Sequence, residues 1–213
     1  MDLRNLQIFK NLTDQDLDLI KSKTEFIEKP YSKGEYIFRT GDTGADLFYL
    51  IEGSLNVYQI DSNGKRFIFQ NFNKPTLFGE VYAYLGEPFD FDCECARDSK
   101  ILIIKDFRKI FEVPCPENFL RSYIKFLSKK CLALSKKNQI TSQASLRQKI
   151  GKYLLENEKD GKINLTMKRE DLADYLSTTR PSLSRELSKM TDEGIIKAGG
   201  DYIEILDRDG IQF

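Results

Sequence analysis

MKREDLADYLSTTRPSLSRELSKMTDEGII, residues 167–196, decides how the chain is read. Leu172, Ala173 and Leu176 fall on one face of a first helix, with Lys168, Arg169, Glu170 and Asp171 around its first turn. Ser177 to Thr179 form a short connector. Thr179 is placed to cap a second helix, and Pro181 stands in its first turn, where a missing amide proton costs little. That helix buries Leu183, Leu187 and Met190 and turns Arg180, Ser182, Ser184 and Arg185 outward. Ala173 is the small residue that lets two helices cross closely. The segment is a helix-turn-helix whose second helix carries arginines suited to guanine and hydroxyls suited to phosphate or base edges. Gly199 and Gly200, inside IIKAGGDYIEIL, turn a hairpin that serves as a wing.

Working back toward the N-terminus, LRQKIGKYLLEN (146–157) is a supporting amphipathic helix closed by the turn Asp160-Gly161-Lys162. Before it, Leu120, Ile124, Leu127, Cys131, Leu134, Asn138 and Thr141 alternate four and three residues apart. That is the spacing of a coiled-coil seam, and a seam sustained over three heptads implies a second copy of the helix. Pro114 and Pro116 separate this helix from what precedes it. Between Phe26 and Ile104, runs rich in aromatic and β-branched residues (EYIF, LFYLI, LNVYQI, RFIFQNF, ILII) alternate with the turn signals KG, GDTG, EGS, DSNG and NKP. This texture is that of an antiparallel β-sandwich or barrel. A hairpin is expected at Asn63-Gly64, and a short helix over 12–23 behind a Thr cap.

Composition narrows the function classes. Lysine and arginine balance aspartate and glutamate overall, but residues 1–117 carry 20 acidic and 15 basic residues and 118–213 carry 13 and 18. The basic half is the one that holds the helix-turn-helix. No run reaches the length of a membrane helix and the first residues lack the pattern of a secretory signal, so a cytoplasmic protein is expected. Four cysteines, Cys93, Cys95, Cys115 and Cys131, do not make a disulfide framework, and no metal site is read from them. They read as thiols on a strand and a helix in preference to a redox or metal sensor. There is no histidine, so haem held by His is excluded. Nucleophile-elbow, P-loop and dinucleotide fingerprints are absent, and an enzyme is not expected. The rival class is a dimeric ligand-binding regulatory subunit that does not bind DNA, against which RPSLSREL argues.

In the order KGEYIFRTGD, FYLIEGSLNVY, LFGE, RQKIGKYLL, REDLADYL and RPSLSREL…DEGII, the chain resembles the cyclic-AMP receptor protein/FNR family of bacterial transcription regulators over about residues 5–210. The resemblance implies an α+β protein with three parts. They are an N-terminal double-stranded β-helix (jelly-roll) sensor over 1–116, a dimerisation helix over 117–144 and a winged helix-turn-helix over 145–213. It further implies a homodimer that binds an inverted repeat in double-stranded DNA and contacts RNA polymerase. Arg185 matches the family's base-reading arginine, with Arg180, Ser182 and Ser184 beside it and Thr179, Lys168 and Arg169 toward phosphate. Ser177 stands where the family often has glycine. Pro181 stands where many members have a base-reading glutamate, and proline cannot accept from cytosine N4.

The same resemblance places the effector pocket at Gly79, Glu80, Val81, Asp90 and Phe91, with Leu134 and Ser135 from the long helix. In cyclic-AMP-binding members an Arg-Ser pair grips the phosphate where this chain has Asp90 and Phe91. From Gly79 to Ala96 there are five carboxylates and no Lys or Arg. A phosphate finds repulsion there instead of a guanidinium, so cyclic AMP is not the expected effector. The iron–sulfur cysteines of the FNR type have no counterpart at this N-terminus. No cofactor is assigned. An apolar ligand would fit an aromatic-rich roll, although its Phe and Tyr residues read first as core, and the effector stays open.

Overall fold

Thr13 starts the first helix, α1 (Asp14–Lys23), by a capping box: its hydroxyl accepts from Asp16 N and the Asp16 carboxylate accepts from Thr13 N. The computed structural model describes residues 2–60, 64, 66–165 and 167–211, and of Phe67 and Phe69 only the backbone. The chain divides into two compact units, Met1–Phe126 and Leu127–Phe213.

The first unit is built on β1 (Phe26–Tyr31), β2 (Tyr36–Phe38), β3 (Leu47–Ile60), β4 (Arg66–Phe72), β5 (Thr76–Phe78) and β6 (Asp92–Ile104). Strand order is β1-β6-β3-β4, with β2 on β6 and β5 on β3, and all pairings are antiparallel. The β region thus begins at Phe26 and ends at Ile104 as the alternation of strand and turn signals implies. Its interior differs in two ways. Glu52-Gly53-Ser54, read as a turn, lies inside β3, where the register with β6 shifts repeatedly and Gly53 has φ +115°. A bulge bends one long strand there instead of ending it. Residues Glu80–Leu85, not expected to be helical, form α2, which starts and ends on left-handed glycines, Gly79 and Gly86. β3 and β4 pair up to Ile60↔Arg66; most of the turn expected at Asn63-Gly64 lies outside the described residues.

The roll is filled with rings. Phe38 stacks on Phe89 at 3.7 Å, Phe48 stacks on Phe78 at 5.4 Å, and Leu50, Leu55, Val57, Cys93, Cys95 and Ile101 complete the buried cluster. These four rings are core, and so are Cys93 and Cys95, the former with its thiol pKa pushed up by burial.

The long helix α3 (Glu117–Thr141) ends three residues short of the expected 144, and its residues up to Phe126 belong to the first unit. Phe119, Tyr123 and Phe126 are buried there. Phe119 stacks on Phe9 and Tyr123, and Tyr123 donates to the Glu80 carbonyl at 3.3 Å. The four-three stripe lies on other faces: Leu120 and Leu127 are half-buried, and Ile124, Cys131, Leu134 and Asn138 are exposed.

In the second unit Ser145 caps α4 (Leu146–Asn157) through a box with Gln148. Then come β7 (Lys162–Asn164), α5 (Arg169–Tyr175), α6 (Arg180–Asp192), β8 (Ile196–Ala198) and β9 (Tyr202–Ile205). The expected hairpin β8–β9 is widened by β7 into a three-stranded sheet, β7-β9-β8. Among the described residues no helix is long and apolar enough to cross a membrane.

Three backbone positions yield stability predictions. A Cβ on Gly53 would lie 2.6 Å from Ser99 Cα, whereas one on Gly34 (φ +84°) meets nothing within 4 Å. Gly34→Ala should cost about 1–2 kcal/mol from the left-handed backbone alone. Gly53→Ala should cost at least about 2 kcal/mol more, because buried Ser99 must also move. Equal losses in urea titrations would contradict the bulge. Ser177 holds φ +53° in the α5–α6 connector. Ser177→Gly should therefore raise stability of the second unit by about 0.5–1 kcal/mol, and Ser177→Val should lower it. A lower melting temperature for Ser177→Gly would contradict the observed backbone.

Candidate nucleic-acid interface

The helix-turn-helix assembles as its apolar spacing dictates. Leu172, Ala173 and Leu176 of the first helix and Leu183, Leu187 and Met190 of the second are all buried. They join Ile150, Tyr153, Leu154, Ile163, Ile196 and Ile203 in one core, which takes in Ile140 from α3. Truncating a buried Leu of this kind costs about 2–5 kcal/mol, so the second helix is held firmly by its apolar face.

The opposite face is what remains for a ligand. Arg180, Pro181, Ser184 and Arg185 are exposed, and Ser182 is half-buried. Thr179 Oγ1 accepts from Ser182 N at 3.3 Å and donates to Ser182 Oγ at 2.9 Å. Ser182 Oγ in turn accepts from Arg185 Nη2 at 3.4 Å. These three side chains lie one turn apart along the helix, so the cap and Arg185 share one polar track. Pro181 is the second residue of α6, where it leaves no intrahelical bond unmade.

Lys168 is the exposed N-cap of α5. Arg169 departs from the surface placement expected of it. It is half-buried, donates from Nη2 to the Gly199 carbonyl at 3.1 Å, and has Nη1 buried without a hydrogen-bond partner. Burial lowers its pKa. Its guanidinium holds the start of α5 against the wing. Any residue at 199 could supply that carbonyl; glycine is needed there because a Cβ would run into the Tyr202 ring.

A set of charges unmarked by the sequence reading lies behind α6. Arg147, on α4, reaches Glu186 and Glu193 at 2.7–2.9 Å. The signal available was the seven-residue spacing of the two glutamates, two helical turns on one side of α6.

Of the expected effector residues, Gly79, Glu80, Val81, Asp90 and Phe91 lie in the first unit. Gly79 opens α2 in the left-handed conformation, Glu80 is buried, and Val81 faces solvent. Asp90 accepts from the Tyr82 hydroxyl at 2.6 Å, and its backbone carbonyl accepts from Gln59. Phe91 packs edge-on to Tyr82 and beside Phe38 and Phe89. Tyr82 is pushed up to about 12 by burial and by the Asp90 carboxylate. Glu94 is held by Arg66 at 2.8 Å and by the Tyr58 hydroxyl at 2.9 Å. Leu134 and Ser135 are exposed on the part of α3 that belongs to the second unit.

Known proteins share both units. Residues 148–212 match the Crp-like helix-turn-helix domain and residues 28–112 the cyclic nucleotide-binding domain. Electron transport regulator A of Shewanella oneidensis is 29% identical over 208 residues, covering 92% of this chain and 80% of the relative. The anaerobic regulatory protein of Haemophilus influenzae is 29% identical over 210 residues, covering 94% and 80%. Among solved structures, a variant of CooA from Carboxydothermus hydrogenoformans shares the fold with a TM-score of 0.60 at 20% identity, over 99% of this chain and 95% of that one. With both domain families matched in the order the sequence motifs require, the chain belongs to the cyclic-AMP receptor protein/FNR family of DNA-binding transcription regulators.

Proposed function

We propose that two copies of the chain pair along α3 and read an inverted repeat in double-stranded DNA with α6. The observation that carries this reading is the division of α6 into a fully buried apolar face and an exposed face bearing Arg180, Ser184 and Arg185. Arg185, at the end of the Thr179–Ser182 track, is assigned to a base edge; Arg180, Ser182 and Ser184 flank it. Lys168 and Thr179 are assigned to phosphate, which sets register without specifying sequence. Half-sites one helical turn apart, about 34–36 Å, suit a two-fold dimer. Contact with RNA polymerase is part of the same proposal, supported only by the family resemblance, and we read the chain as a regulator without catalytic activity.

The test is a selection from random duplex DNA followed by affinity measurements at fixed salt. Arg185→Ala should weaken the selected duplex by about 1–3 kcal/mol and flatten preference at one base pair. Lys168→Ala should weaken selected and scrambled duplexes about equally and reduce the salt slope by about 1. An unchanged base preference in Arg185→Ala would contradict the assignment of α6.

We further propose that the effector is not cyclic AMP. The support is chemical: the phosphate-gripping positions hold Asp90 and Phe91, the Asp90 carboxylate is occupied by Tyr82, and the interior beside them is stacked Phe38 and Phe89. A ligand that binds the native state must raise its melting temperature. Millimolar cyclic AMP should leave it unchanged, and saturable micromolar binding would overturn the reading.

A further inference from the structure

Arg147 is the second residue of α4, and its guanidinium is spent entirely on α6 and its C-terminal cap. Nε donates to Glu186 Oε1 at 2.8 Å, Nη1 to Glu193 Oε2 at 2.7 Å and Nη2 to Glu193 Oε1 at 2.9 Å. The contact with Glu193 is a two-pronged fork, a geometry that the point charge of lysine cannot reproduce. The group sits at the edge of the core, with the Arg147 side chain 30% exposed and that of Glu186 23%. The Arg147 pKa is raised by both glutamates, and the Glu193 carboxyl lies below the ordinary range because of Arg147.

Leu183, Leu187 and Met190 hold α6 down, but the hydrophobic effect is non-directional, and hydrogen bonds define orientation more sharply. The fork is directional. It grips α6 at two points two turns apart, and one of them, Glu186, adjoins Arg185 in the chain. Turning the helix enough to break the Glu186 bond sweeps Arg185 along the groove floor by the same angle. We propose that Arg147 is a positioning residue that fixes the rotation of α6, so that choice of base depends on a side chain facing away from DNA. The inference rests on α6 being the reading helix. It adds a route for control as well: α4 begins a few residues beyond the end of α3, so the fork ties the reading helix to the first turn after the long helix.

The experiment compares a duplex recovered from random DNA by the natural protein with a scrambled duplex of equal length. Affinities are measured at one salt concentration and at a temperature where circular dichroism shows each variant folded. Arg147→Met should reduce the ratio of selected to scrambled affinity by about ten-fold or more, about 1.4 kcal/mol, while affinity for the scrambled duplex stays within about two-fold. Arg147→Lys, which keeps the charge, should recover melting temperature more than it recovers the ratio. Glu193→Gln removes a charge without loss of shape and should lower the ratio in the same direction, which covers the case where Arg147→Met fails to fold. Ile163→Val, in the core and away from the fork, is the control for instability and should leave the ratio unchanged. A ratio preserved in Arg147→Met and Glu193→Gln, or lost equally in Ile163→Val, overturns the positioning role alone. No preference in the natural protein overturns the DNA-reading assignment, and this inference with it.

Discussion

The apolar stripe that α3 leaves uncovered is the constraint on which the rest turns. Phe119, Tyr123 and Phe126 satisfy one side of the helix inside its own chain, and Ile140 is buried at its far end. Ile124 and Leu134 are left 62% and 68% exposed, in step with half-buried Leu127 and exposed Cys131. Burying a side chain of this size contributes about 1.5–3 kcal/mol relative to leaving it in water. In the proposed dimer, a second copy of the same helix related by a two-fold axis would cover this stripe with its own.

Within the second unit, force and precision are separated. The buried leucines supply adhesion, and the polar groups around them supply direction: Arg169 to the wing carbonyl, Arg147 to two glutamates, and Thr179 and Ser182 along the exposed face. A reading helix needs both, because a base edge is selected by hydrogen-bond geometry and a slight rotation exchanges one acceptor for another. In the first unit the polar groups beside the aromatic interior are likewise paired with one another. The carboxylates of Asp90 and Glu94 are already engaged by Tyr82 and by Arg66 with Tyr58, and the interior beside them is aromatic. That environment is the ground for the proposal that the effector is not cyclic AMP.

Much of this was legible in the residues. The helix-turn-helix, the cap of its second helix and its core face follow from apolar spacing, Thr179 and Pro181, and the observed α6 begins at Arg180 behind that cap. The limits of the β region were legible too. What escaped notice depends on long-range pairing. Gly53 reads locally as a turn, but Ser99 on the neighbouring strand makes it a bulge within a continuous strand. The three residues of β7 are too few for a period and become a strand only because β9 lies beside them. Arg147 and Arg169 look like surface cations in sequence, and only the fold brings their acceptors within reach.

Cys131 gives the most direct measure of the account. It lies on the stripe between Leu127 and Leu134 and is exposed, whereas Cys93 and Cys95 are buried and Cys115 is half-buried. In a parallel pair, identical seam positions face each other, which brings the two Cys131 side chains toward the roughly 3.5–4.5 Å Cβ separation that a disulfide requires. Mild oxidation of the purified protein should give a covalent dimer on non-reducing gels that is lost in Cys131→Ser and kept in Cys93→Ser. Cross-linking through another cysteine, or none at all under oxidation, would contradict the parallel pairing along α3.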